Sequence, residues 1–417
     1  MSAPSPEEAA VLASLDNQGP ALLEQVQGWS AINSGSRNLD GLAQMAAQFA
    51  DAFGSLGGRL GLREPASASQ VLPDGREAPL LHGRNLHLVQ RPDAPVRVLL
   101  TGHMDTVFAA DHPFQTVRRL DPNTVNGPGV ADMKGGVAVM LAALRAVEAS
   151  PFAAGLGYEV ILNSDEEVSS PGSAPLLAEA AGRVQAGLTY EPAMPDGALA
   201  GARKGSGNFS AVIHGRSAHA GRNPQDGRNA IVAAGDLALG LSSFPGRRPG
   251  LSANPARIDG GGPNNVVPDL AILRFNLRPT TLEDQRWAEA AMAELFAAVS
   301  ARHEVAIELK GRFGRPPKPL DANQRRLFDL VRACGQDLGL DIGWRDTGGV
   351  CDGNNLAACG LPVVDTLGVR GGAIHSEEEF LLVDSLVERA RLSALLLMRL
   401  TQGALPTAAA ASISAGA

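Results

Sequence analysis

Val96-Arg97-Val98-Leu99-Leu100-Thr101-Gly102-His103-Met104-Asp105 decides the fold. Its first half is a short apolar run bounded by turn residues, the pattern of a buried strand. That strand runs straight into a histidine and an aspartate. Two further runs repeat the plan: Tyr158-Glu159-Val160-Ile161-Leu162 breaks off at Asn163-Ser164-Asp165-Glu166-Glu167, and Gly187-Leu188-Thr189-Tyr190 ends at Glu191-Pro192. Between the first two lie a Gly-Pro-Gly turn at 127–129, Asp132-Met133-Lys134-Gly135-Gly136, and an Ala- and Val-rich helical pattern reaching Glu148. Strands alternating with helices predict an α/β protein with a mostly parallel sheet.

The chain of 417 residues, at about 150 residues per domain, suggests roughly two to three domains. From Gly201 the pattern changes. Asn208–Ile213 alternates as a half-buried strand, 230–241 reads as a helix, 270–277 as a strand and 282–299 as a helix. This predicts a separate α+β unit inserted in the larger one, with the basic, proline-rich stretch 312–319 as the return linker. The expected division is 1–201 and 316–404 for the catalytic domain, 202–315 for the insert and 405–417 for a disordered tail. The larger domain resumes with a helix at 324–338, a strand at 362–367 and a helix at 383–400.

The balance of 36 Lys and Arg against 44 Asp and Glu gives a net charge of −8, which argues against a nucleic-acid partner. At 4% aromatic residues, the composition also argues against a base-stacking surface. The longest apolar run, Gly135 to Leu144, is about half of the ~20 residues that cross a bilayer. The N-terminus has no signal-peptide pattern, and Cys334, Cys351 and Cys359 have no paired spacing. A soluble, cytoplasmic protein is expected.

His103/Asp105, Asp132, Glu166/Glu167 and Glu191 fall at or just beyond strand ends, and His375 follows the last strand by eight residues. Ligands of open α/β sheets sit beyond the carboxyl ends of the strands, so these loops can converge. Each residue alone has a plain reading as a turn, cap or solvated acid. Together they offer N and O ligands of the kind that zinc, cobalt or manganese accepts. With one carboxylate shared, they suffice for two ions that lower the pKa of bound water from ~15.7 toward ~7. A glutamate left over serves as proton shuttle, and amide hydrolysis is the natural reaction. A cysteine hydrolase built on Cys351 leaves the carboxylates unexplained. A phosphate cradle at Asp259-Gly260-Gly261-Gly262 lacks the helix it should open.

At these residues the sequence resembles the di-zinc metallopeptidases and deacylases that include glutamate carboxypeptidase, acetylornithine deacetylase, succinyl-diaminopimelate desuccinylase and aminoacylase. The stretches that carry the likeness are Gly102–Val107, Gly129–Gly136, Asp165-Glu166-Glu167 with Gly172-Ser173, and Tyr190-Glu191-Pro192. Later ones are Ala202–Gly205, Gly215–Gly221, Asn265–Pro268 and Ala373–Ser376. The likeness covers about residues 20–400 and is closest to the glutamate carboxypeptidase branch.

The resemblance implies two zinc ions per chain, with cobalt or manganese as substitutes. Asp132 would bridge them, His103 and Glu191 would hold one, and Glu167 and His375 the other. Asp105 would orient His103, and Glu166 would be the general base for the metal-bridging water. It also implies that the insert is a ferredoxin-like lid forming a homodimer, with His219 reaching the partner's active site to stabilise the oxyanion. Asn265 and Arg278 would bind substrate, Arg278 through a free carboxylate, with Lys204 and Arg315 as further anionic contacts. The expected activity is exopeptidase cleavage of an amide beside a free carboxylate in a small peptide. The alternative is deacylation of an N-acyl amino acid, and a remoter one is a non-catalytic, zinc-stabilised binding dimer. Two departures stand out: Asn276-Leu277-Arg278 where many relatives have Asp-x-Arg, and Cys351 in the Gly-rich loop 347–353.

Overall fold

The computed structural model describes residues 3–405, so the tail expected at 405–417 lies, apart from Leu405, outside the described residues. A central sheet has the strand order Arg59–Arg63, Asn85–Gln90, Leu156–Asn163, Val96–His103, Ala186–Thr189, Val363–Val364. The last four are parallel, while Asn85–Gln90 runs against both of its neighbours. The decisive strand therefore lies inside the sheet, flanked on both sides, which is why Leu99 and Leu100 are both fully buried. Its register with its neighbours pairs His103 with Asn163 and Thr101 with Thr189. The carboxyl ends are thus nearly flush, and the loops that leave them share one edge.

The helix Gly136–Glu148 is apolar almost all round because it is covered on both sides. It packs on the sheet, and the helix Asp384–Thr401 lies against it. Val137, Val139, Met140, Leu141 and Leu144 are all fully buried in this core. Its start is a close approach: a Cβ on Gly136 would sit 2.0 Å from the Tyr190 carbonyl oxygen. Only glycine lets the Asp132 turn come down beside Glu191.

Residues 206–315 form a second sheet in the order Leu251–Gly260, Leu270–Pro279, Ser206–His214, Ala306–Arg315, all antiparallel. Helices Ala230–Ser242 and Leu282–His303 cover one face, where Phe209, Ala211, Leu273, Phe275 and Leu277 make a core of their own. The order β-α-β-β-α-β is ferredoxin-like. The overall class is therefore the expected α/β one; besides Arg59–Arg63 and Asn85–Gln90 at one side of the central sheet, the insert holds two strands that its sequence pattern did not announce. Leu251–Gly260 contains Pro255, and Ala306–Arg315 is largely solvated; both lie at sheet edges, where apolar alternation is weak. The stretch expected as a return linker from 312 is thus still strand as far as Arg315. Among the described residues, no helix is long and apolar enough to cross a membrane.

Candidate active site

Loops from the flush strand ends bring the predicted residues together. His103 Nε2 lies 3.0 Å from Asp132 Oδ1 and 3.8 Å from Glu191 Oε2. On the other side of the same aspartate, His375 Nε2 lies 3.3 Å from Asp132 Oδ2 and 3.1 Å from Glu167 Oε2. Two ligand groups result, His103–Asp132–Glu191 and Asp132–Glu167–His375, each with donor atoms within 4.8 Å of one another. Asp132 belongs to both.

The electrostatics of this cluster call for cations. Burial pushes Glu167 up to about 8 and Glu191 up to about 7, each with the neighbouring Asp132 charge adding to it. Hydrogen bonds to Asp132 and Glu167 push His375 up to about 11. Glu191 Oε1 is buried with no hydrogen-bond partner among the described residues. Three carboxylates crowded in a low-dielectric pocket repel one another, and divalent ions on the N/O donors relieve that repulsion. The donor set fits such ions.

Asp105 does more than face His103. The imidazole Nδ1 is 2.9 Å from the Asp105 backbone oxygen and 3.4 Å from its carboxylate. The carboxylate itself accepts from Ser36 Oγ at 2.7 Å and from the amides of Glu166 and Glu167 at 3.1 and 3.2 Å. One aspartate therefore ties the first strand's histidine to the second strand's acidic turn. Glu379, which is not among the residues singled out from the sequence, plays a similar part. Its buried carboxylate accepts from the amides of Gly129, Ala131 and Asp132. Asp132 does not begin a helix: its φ and ψ are −113° and 88°, and the helix starts at Gly136.

Glu166 stands outside both ligand groups. Its Oε1 is 2.6 Å from Arg315, whose guanidinium also donates to the Glu166 backbone oxygen and to Ser170 and lies near Asp352. Burial pushes Glu166 up to about 8 against the pull of Arg315. Arg315 is only 2% exposed, so it braces Glu166 instead of waiting as a free anionic contact.

A cleft of about 650 Å³ opens over these groups, with Arg203, Asn208, Asn276 and Arg278 on its walls. Arg278 donates from Nε to Asn276 Oδ1 at 3.1 Å and from another nitrogen to the Gly348 oxygen at 2.9 Å. The asparagine that departs from the Asp-x-Arg pattern thus braces the arginine without neutralising it. Lys204 does not line the cleft; its Nζ reaches Ser252 Oγ at 2.9 Å. The preceding residue, Arg203, faces the cleft instead, since successive side chains of extended chain point opposite ways. It is held by Asp365 at 2.8 Å. Cys351 lines the cleft too, but burial pushes its thiol well above the usual range, which opposes a nucleophilic role.

His219 and Asn265 are not brought to this cleft within the chain. Both are exposed and adjacent to each other, with the Ala220 amide donating to the Asn265 oxygen at 2.9 Å. His219 Nδ1 accepts from the amides of Gly221 and Arg222 at 3.0 and 3.2 Å. That leaves its proton on Nε2, as a donor facing outward.

A mostly parallel sheet with paired N/O ligand groups and a spare buried glutamate at its carboxyl edge is the layout of a metal-dependent hydrolase. The chain belongs to the family described as Peptidase family M20/M25/M40, which matches residues 99–399. Over 396 residues it is 28% identical to carboxypeptidase G2 of Pseudomonas sp. (strain RS-16), spanning 94% of this chain and 92% of that one. A succinyl-diaminopimelate desuccinylase of Psychrobacter arcticus is 29% identical over 329 residues, 73% of this chain and 78% of its own length. Among solved structures, a metallo-carboxypeptidase of the same family from Sulfolobus solfataricus superposes with a TM-score of 0.69 at 12% identity, covering 91% and 99% of the two chains. A dinuclear metal-binding peptidase of the family from Bacillus subtilis gives 0.64 at 16% identity, covering 92% and 98%. The chain is a hydrolytic enzyme of this family.

Proposed function

We propose that this enzyme cleaves an amide bond next to a free carboxylate, as a glutamate-carboxypeptidase-like exopeptidase with Glu166 as general base. The observation that carries this reading is the position of Glu166. It is a buried carboxylate beside, but outside, both ligand groups, in a cleft that also holds the uncompensated Arg278. His103, Asp132 and Glu191 would hold one divalent ion, and Asp132, Glu167 and His375 a second, with zinc, cobalt or manganese suited to the donors. When bound, such ions supply Lewis acidity that polarises the scissile carbonyl and makes water acidic. Glu166 takes the proton from the attacking water and returns it to the leaving amine, and its raised pKa suits both halves of that exchange. Arg315 keeps the Glu166 carboxylate aimed. Arg278 grips the substrate carboxylate with its planar fork.

Residues 202–315 would serve as lid and dimer contact, carrying His219 and Asn265 to the partner's cleft. The outward donor on His219 Nε2 suits an oxyanion. Full activity from a species shown to be monomeric by sedimentation would remove this trans role.

The similarity to a desuccinylase favours a second reading, deacylation of an N-acyl amino acid. The two share the carboxylate grip, so one panel tests both. Zinc-reconstituted enzyme is offered N-acyl amino acids and dipeptides, each paired with its C-terminal amide, and release of free amine is measured. Amidation removes the charge that Arg278 holds, an expected loss of about 2–4 kcal/mol, or roughly 30- to 1000-fold in kcat/KM. Equal rates on acids and amides would remove Arg278 from that role.

A further inference from the structure

The cleft wall formed by the second sheet continues beyond Arg278. The sheet face turned away from its helices carries, side by side across the strands, Asn276, Asn208 and Arg312, then Arg274, Ser210 and Lys310. Over this face lies a second cavity of about 690 Å³. Ser169, Ser206, Asn208 and Asn276 line both cavities, so the two adjoin. The bond from Asn208 Nδ2 to Ser169 Oγ, 3.1 Å, marks the passage between them. The hairpin Ala68–Val71/Glu77–Leu80 bounds the far side.

Most cationic groups here are already engaged. Arg274 donates to Asp259 at 2.8 Å and to the Val71 oxygen at 2.7 Å, and Lys310 pairs with Glu77 at 2.9 Å. Arg312 differs: it is exposed to the cavity, and its side chain has no hydrogen-bond or ion-pair partner among the described residues.

We propose that the second cavity is a subsite for the acyl side of an extended substrate, with Arg312 receiving an anionic group on it. This rests on the amide-hydrolase reading of the first cleft. In that reading the main chain of the leaving amino acid ends at the carboxylate held by Arg278, so the substrate's main chain can continue into another cavity only on its acyl side. Arg315 touches Glu166, and Arg312 lies on the same strand beyond a bulge; their cross-strand partners Ser206 and Asn208 are two residues apart, about 7 Å at ~3.4 Å per residue. An extended peptide covers about 3.3–3.6 Å per residue. Roughly two residues and a terminal carboxylate on the acyl side therefore span the distance. The preferred class is a short acidic peptide or a peptide-length N-acyl group ending in a carboxylate.

The test uses the full-length, zinc-reconstituted enzyme and three substrates sharing one C-terminal amino acid, the best from the panel above. They are its acetyl derivative, its acetyl-Ala-Ala derivative and its succinyl-Ala-Ala derivative. The succinyl tripeptide should exceed the acetyl tripeptide by about five-fold in kcat/KM at low ionic strength, the scale of one exposed ion pair, and added salt should shrink the ratio. Arg312→Ala should bring the ratio to one, and Arg312→Glu should invert it. A ratio of one in the unsubstituted enzyme, or a preference that survives Arg312→Glu, overturns the subsite while leaving the amide-hydrolase reading intact. Absence of turnover on all three overturns that reading and the subsite with it.

Discussion

Glu166→Gln should lower kcat by about 10²–10⁴-fold or more, the range attached to a positioned general base, while bound metal stays at the level of the unsubstituted enzyme. The two side chains have the same shape. The amide can still accept from Arg315, which keeps its second carboxylate neighbour in Asp352. What disappears is the ability to take a proton. Glu166 stands outside both ligand groups, so its loss should not release metal. Elemental analysis alongside steady-state kinetics separates the two effects. A glutamine variant within ten-fold of the original rate would take the proton transfer away from Glu166.

Asp132→Ala should be costly in a different way. Asp132 is the shared member of both ligand groups, with one carboxylate oxygen facing each histidine. Although burial opposes its ionisation, hydrogen bonds from His103 and His375 hold its carboxyl well below the usual range, so a full negative charge sits between the two groups. Changing even an outer partner of a metal ligand commonly costs about 10–100-fold in affinity, so loss of a shared ligand should exceed that. Calorimetric titration of metal-free protein with zinc should show two equivalents for the unsubstituted chain. The variant should bind no more than one, and weakly, with catalysis reduced to background. Glu191→Ala or His375→Ala, each confined to one group, should disturb one equivalent. Two equivalents bound by Asp132→Ala at the original affinity would sink the shared-ligand assignment.

Both substitutions act at residues that could be found in the sequence, because the chemistry-bearing positions sit where buried strands stop. An apolar run such as 96–100 is recognisable locally, and in a parallel sheet its carboxyl end can only open on the common edge. The long helices at Gly136–Glu148, Leu282–His303 and Asp384–Thr401 were readable for a similar reason, since their apolar residues recur within a few turns. The family motifs added the assignment of His103, Asp132, Glu167, Glu191 and His375 to two groups, and in each group the donor atoms lie within 4.8 Å of one another.

What escaped the sequence depends on contacts between distant segments. Nothing near Glu379 announces that it will accept three amides of the Asp132 turn, about 250 positions earlier. Arg315 looked like a free cation in a linker, yet it ends a strand and closes on Glu166. Whether Lys204 or Arg203 faces the cleft turned on which side of an extended segment is covered, and the covering chain comes from residues around Asp365. The edge strands Leu251–Gly260 and Ala306–Arg315 have weak patterns because water, not core, lies on much of their surface. Local periodicity and the positions of strand ends therefore carried the parallel strands of the central sheet, the long helices and the candidate ligands. Pairing order, the bracing of Glu166 and the make-up of the cleft walls were decided in three dimensions, because each depends on which remote residue arrives to share a buried charge or hydrogen bond.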